Sequence, residues 1–172
     1  MWCTNVALVG FMGAGKSTVG RELAVRLGKT FVETDLLVEE RAGMPVSEVF
    51  AQHGEQYFRD LEADVVRDVS QLKDCVIACG GGVVLREENV AALRASAVIV
   101  YLETSPQSVL ERLGPRSTAR PLLSGAEREQ RVVELLALRE PIYTASADIA
   151  VPTDGLRVDQ VALNVEKRLA EL

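Results

Sequence analysis

The chain has 172 residues, 48% of them hydrophobic and 26% charged, enough to bury a full core and too apolar for a disordered or fibrous protein. With 25 acidic against 19 basic residues the formal net charge is -6, which argues against binding along a nucleic-acid backbone or an anionic membrane, so neither is an expected partner. Three cysteines without C-x-x-C spacing suggest neither a disulfide framework nor a zinc site, and there is no basic leader or long apolar span, so a soluble cytoplasmic protein is expected.

Apolar runs of strand length occur at residues 6–9, 30–32, 75–79, 97–102 and 149–151, with helical periodicity between them. Strand alternating with helix implies an α/β fold built on a parallel sheet. The first helix is expected over 16–27, with Val19, Leu23 and Leu27 on one face and Gly28 as its stop. A longer helix over 55–72 places Phe58, Leu61, Val65, Val69 and Leu72 in one stripe. Ser105 and Pro106 open a further helix as cap and first-turn proline, and Gly114 closes it. The last helix carries Val158, Val161, Val165 and Leu169 on its buried side. Between these elements the stretch 114–126, with Arg116 and Arg120 among prolines and glycines, reads as a mobile lid. No repeat or linker divides the chain, so residues 1–172 are expected to form one domain, with a substrate-binding insertion over about 33–61.

Gly10-Phe11-Met12-Gly13-Ala14-Gly15-Lys16-Ser17 fits G-x-x-x-x-G-K-S/T between an apolar strand and an amphipathic helix. Glycines let the backbone turn its N–H groups inward, and the helix that follows adds the positive end of its dipole. Lys16 then supplies a point charge to the outer phosphates of a nucleoside triphosphate, and the Ser17 hydroxyl suits Mg²⁺. The guanine-reading N-K-x-D element and the L-S-G-G-Q transporter signature are absent, which leaves a small-molecule kinase as the leading class.

Further features point to a second substrate. In Glu33-Thr34-Asp35 two carboxylates at a strand end suit a metal and a hydroxyl, although Thr34 or Asp35 also suits the cap of a helix over 36–41. Arg59 pairs naturally with Glu62 three residues on, or stands as an oriented fork for a carboxylate. Gly80-Gly81-Gly82 after the third strand is either a flexible turn or a place where a ligand approaches the backbone closely. Arg139 lies near a helix end that Pro141 would stop, where a cation is favourable for structural reasons alone. His53 reads as a surface or cap residue, Cys75 and Cys79 as strand packing, and Trp2 as a cover for the first strand's edge.

Together these residues resemble the shikimate kinase family along nearly the whole chain: the loop from Gly10 to Thr18, Thr34-Asp35, Gly54-Glu55 with Phe58-Arg59 and Glu62, the triple glycine, Arg120-Pro121-Leu122-Leu123, and Arg139 followed by Tyr143 and Ala147-Asp148. The resemblance implies a nucleoside-monophosphate-kinase-like fold, with a five-stranded parallel sheet in the order 2-3-1-4-5. It implies transfer of the ATP γ-phosphoryl group to the 3-hydroxyl of shikimate, a step of chorismate and aromatic amino-acid biosynthesis. Carried over, Asp35 would bind the substrate hydroxyls and act as base, while Arg59, Gly81 and Arg139 would hold the carboxylate. Gly13, Ala14, Gly15, Lys16, Ser17, Thr18, Arg112 and Arg120 would bind ATP, with Lys16 and Arg120 stabilising the transferring group. Mg²⁺ would be held by Ser17 and, through water, by Glu33, and a monomer is expected. Glu33 departs from the family's usual Asp, so altered metal dependence is expected. A kinase for another polyhydroxy metabolite such as gluconate, and a nucleotide-gated binding module without transfer, are the alternatives.

Overall fold

The computed structural model describes residues 5–114 and 127–172, so Trp2, Cys3, Arg116 and Arg120 lie outside the described residues. Five strands, β1 (Asn5–Val9), β2 (Thr30–Glu33), β3 (Cys75–Ala78), β4 (Ala97–Glu103) and β5 (Ile149–Pro152), form one sheet in the order β2-β3-β1-β4-β5. All four pairings are parallel, as the alternation of strand and helix requires. The helices are α1 (Lys16–Leu27), α2 (Thr34–Ala42), α3 (Val46–Val69), α4 (Glu87–Ser96), α5 (Pro106–Leu113), α6 (Arg128–Ser146) and α7 (Val158–Leu169).

Both faces of the sheet are covered, which explains why its central strands read as unbroken apolar runs rather than alternating ones. On one face Ala7, Val9, Ile77 and Ile99 pack with Phe58, Val65 and Val69 of α3 and Leu136 of α6. On the other, Val6, Leu8, Val76 and Val100 meet Leu23 of α1 and Val161 and Val165 of α7. Gly20 is forced by this second layer: a Cβ there would stand 2.7 Å from the Phe31 ring.

The caps of α1 and α5 fall where the sequence placed them. Gly28 ends α1 in the left-handed region at φ 64°, and the Ser105 hydroxyl accepts from the Ser108 N–H at 3.2 Å to start α5. Other boundaries differ. α3 starts at Val46, nine residues before the expected Glu55, and breaks at Gly54, whose φ of 82° and ψ of 174° turn the chain between two helical halves. It also stops at Val69, leaving Leu72 beyond the buried stripe at 43% exposure. In α7 the expected inward Val158 is likewise exposed.

The larger correction concerns α6. Pro141 does not stop it, and the helix continues to Ser146. Val132, Leu136, Arg139, Tyr143 and Ser146 form one buried stripe down its length, and that burial outweighs the roughly 3 kcal/mol that an interior proline costs. Arg139 is therefore about two turns from the helix end, and the C-terminal dipole does not account for it.

Candidate active site

At the carboxyl ends of the strands a cavity of about 470 Å³ opens between the loop after β1, the start of α2, the turn after β3 and the loop after β5. The end of the loop after β1 and the first turn of α1, Gly13 to Val19, line one side. Gly10 (φ 147°), Gly13 (φ 82°) and Gly15 (φ 91°) all take positive φ, and a Cβ on Gly10 would stand 2.8 Å from the Leu102 carbonyl oxygen. Lys16 is buried, and its ammonium donates to the carbonyls of Gly10 at 2.8 Å and Phe11 at 3.0 Å, so the charge is held within the loop it serves.

Ser17, Glu33 and Asp35 share the same cavity wall. The Ser17 hydroxyl donates to Glu33 Oε1, while Arg21 pairs with Glu33 Oε2 at 3.2 Å and lies over the Phe31 ring. Arg21 was not singled out by the sequence reading, although it sits one turn from Ser17 on the same helix face. A hydroxyl and a carboxylate side by side are the hard oxygen donors a divalent cation of a phosphate-transfer site takes, so these residues fit one. No group of three or more His, Cys, Asp or Glu that would hold a metal occurs among the described residues.

Asp35 lies in the first turn of α2, where the helix N-terminus favours its charge. Neither Thr34 nor Asp35 caps α2: the N-cap is Glu33, without a side-chain hydrogen bond. Thr34 is instead fully buried, and its hydroxyl accepts from the Gly80 N–H at 2.9 Å, a role the cap expectation missed.

The triple glycine makes room chiefly for the protein's own side chains. A Cβ on Gly80 would stand 2.6 Å from Asp35 Oδ1 and 2.7 Å from Glu62 Oε1, and one on Gly82 would collide with the Arg59 guanidinium. Gly81 borders the cavity. Arg59 is buried and donates to Glu62 at 2.8 Å, with Glu55 a second, more exposed partner at 3.3 Å. Glu62 is 1% exposed and its Oε1 has no hydrogen-bond partner. Burial lifts its carboxyl above the usual carboxylate range although Arg59 pulls it down, and the charges of Asp35 and Arg139 also act on it.

Arg139 is only 6% exposed and forms no ion pair among the described residues. Tyr143, one turn on, donates to the Gly81 carbonyl and stacks on Tyr101 with ring centroids 5.1 Å apart. Cys79 closes the floor, where burial pushes its thiol up to about 12 with Lys16 opposing, so it stays neutral packing. Arg112 spans the far end, donating to the Thr153 carbonyl at 2.9 Å and the Gly13 carbonyl at 3.2 Å. The fold thus gathers Gly13, Ala14, Gly15, Lys16, Ser17, Thr18, Glu33, Asp35, Gly81 and Arg112 around one cavity, while Arg59 is buried against Gly82 and Arg139 is buried one helical turn from Tyr143, which reaches Gly81. Asp148 is not among them: it accepts from the Ile99 N–H at 2.8 Å and ties α6 to the sheet.

The shikimate kinase family model matches residues 12–170. The chain belongs to the shikimate kinase family. Its relatives include the shikimate kinase of Moorella thermoacetica, 46% identical over 165 residues, covering 96% of this chain and 94% of that protein. The shikimate kinase of Caldanaerobacter subterraneus is 44% identical over 168 residues, covering 98% and 97%. Among solved structures, shikimate kinase from Acinetobacter baumannii in complex with shikimate superposes with a TM-score of 0.94 at 34% identity, covering 98% of this chain and 93% of that one. A gluconokinase from Sinorhizobium meliloti, at TM-score 0.58 and 15% identity over 99% and 94% of the chains, shares the fold alone. Membership of the shikimate kinase family makes the chain an ATP-dependent kinase, which implies a divalent metal.

Proposed function

We propose that the chain transfers the γ-phosphoryl group of ATP to the 3-hydroxyl of shikimate, with Mg²⁺ as the metal. The supporting observation is Arg139, a buried guanidinium without an ion pair among the described residues, whose charge acts together with that of buried Arg59 on Glu62 and Tyr143. A cation so placed calls for an anion from outside, and an acceptor carboxylate meets that need where a neutral sugar would not.

In this reading Gly81 and the two arginines hold the carboxylate, and the ring's hydroxyls are turned toward Asp35 at the head of α2. Asp35 accepts the hydrogen bond of the attacking hydroxyl and takes up its proton as the new phosphorus–oxygen bond forms and the bond from the γ-phosphorus to the β-phosphate oxygen breaks, leaving ADP. The N–H groups of Gly13 to Thr18 cradle the phosphates, and Lys16 leaves its loop carbonyls to meet the charge on the transferring group. Ser17 and, through water, Glu33 would hold Mg²⁺, which would supply positive charge to offset that of the phosphate oxygens. Arg112, already anchored to Thr153, forms a wall for the adenine. Arg120 is assigned to the transferring phosphate by family resemblance, within one domain whose lid spans about 114–126.

ADP release from Mg-ATP is measured with shikimate, gluconate and nucleoside monophosphates as parallel acceptors. Release with shikimate alone is expected, release with gluconate in its place would reassign the acceptor pocket, and ATP binding without release would leave a binding module.

A further inference from the structure

The carbonyls of the three glycines are not treated alike. Gly80 and Gly82 give theirs to the turn that follows, accepting from the Val83 N–H at 3.1 Å and the Leu85 N–H at 3.0 Å. The Gly81 carbonyl is handed to a side chain, the hydroxyl of Tyr143, which arrives from α6 across 62 residues of sequence. On the other side of Gly81, the Gly80 N–H is held by the Thr34 hydroxyl from α2. A run of three glycines has no side chains of its own with which to fix its peptide planes, and glycine loses more conformational freedom on ordering than any other residue. Two hydroxyls from two helices therefore bracket Gly81, the member of the triple glycine that lines the cavity.

Tyr143 is suited to this task in three ways. It is fully buried, and Tyr101 stacks on its ring with an interplanar angle of 22°, which leaves the phenol little freedom to swing. Burial pushes the phenol up to about 12, with Arg139 pulling the other way, so it stays a donor. Arg139 lies one helical turn before it on the same buried stripe, over the Phe11 ring, and its charge acts on the Tyr143 phenol, so the residue that pins Gly81 also neighbours the guanidinium.

We infer that Tyr143, with Thr34, is a positioning residue that sets the Gly81 peptide and Arg139 in register as one anion-recognising unit, and so determines selectivity for a carboxylate-bearing acceptor. The inference rests on the reading that Arg59, Arg139 and Gly81 hold the acceptor carboxylate. It is a role in ground-state binding: Tyr143 touches none of the reacting atoms.

The test compares Kd for shikimate and for its methyl ester, whose carboxylate is masked, by calorimetry on the wild type and on Tyr143→Phe, Thr34→Val and Thr34→Ser, together with kcat and KM for both substrates of the reaction. Tyr143→Phe is expected to weaken shikimate about tenfold and the ester less than twofold, with kcat and the KM for ATP unchanged within about twofold. Thr34→Val should repeat that pattern, and Thr34→Ser, which keeps the acceptor for the Gly80 N–H, should restore it. This second pair carries the test on its own should Tyr143→Phe not fold. Equal losses for shikimate and ester in a wild type that discriminates between them, or a loss confined to kcat, would overturn the positioning role and leave the proposed function standing. A wild type that binds ester and acid alike would take down the carboxylate reading and this inference with it.

Discussion

The two ends of the cavity are built on opposite plans. The phosphate end is one uninterrupted segment, Gly10 to Ser17, in which glycines at positive φ aim the backbone and Lys16 is stored on the loop's own carbonyls. The acceptor end, as proposed, would draw Asp35 from α2, Gly81 from the turn after β3 and, buried behind the cavity lining, Arg59 and Glu62 from α3 and Arg139 from α6, so its geometry would belong to the packing of four elements. A backbone site of the first kind is fixed by local conformation, and losing one side chain removes one interaction. In the second kind charges are buried against each other, and removing one leaves another without compensation.

That difference is broken most sharply at Lys16. Lys16→Met should lower kcat by about 10³-fold, the scale of losing one preorganised charge at a transition state, with the Kd for shikimate within about twofold of wild type. Rapid-quench turnover and calorimetry check it, and a matching loss in shikimate binding would mean that the two ends are not separable.

At the acceptor end the largest effect should appear in stability as well as affinity. Arg59→Ala leaves Glu62 buried with both oxygens unpaired, and the expected loss is about 3–5 kcal/mol in urea unfolding. Adding Glu62→Leu should return most of that stability without returning shikimate binding. If the double variant is no more stable than Arg59→Ala, the buried pair is not the source of the loss.

A smaller effect sharpens the same comparison through pH. Glu62 has a folded carboxyl raised above its usual value of 4.5, chiefly by burial and against the pull of Arg59. From 4.5 up to that raised value the folded chain holds a proton that the unfolded chain has released, so stability falls as pH rises through this window. The stability of the wild type relative to Glu62→Gln should therefore decline from about pH 4.5 upward and level off above the folded pKa. A difference that stays flat with pH would return Glu62 to an ordinary carboxylate.

Most of the framework was legible beforehand. Five strand segments, the caps at Gly28, Ser105 and Gly114, and the sheet order implied by the family all appear, because short apolar runs and turn residues act locally. Pro141 misled for the same reason in reverse: a local helix breaker was overruled by a stripe of tertiary burial that no window of α6 alone displays. The sequence shows three glycines that suit either a flexible turn or close ligand approach, but not that Asp35, Glu62 and Arg59 crowd two of them. The Thr34, Arg21 and Tyr143 partnerships join residues on separate elements, and no spacing rule reaches across them.

The sequence by itself determined the parts whose physics is contiguous: the phosphate loop, the parallel α/β plan and, through the order of its motifs, the family. Only the tertiary structure decided which buried charges face one another, which carbonyl Tyr143 holds and why Gly80 and Gly82 have no side chains. Those are questions of distance between segments far apart in the chain, and distance of that kind is set by how helices pack on a sheet.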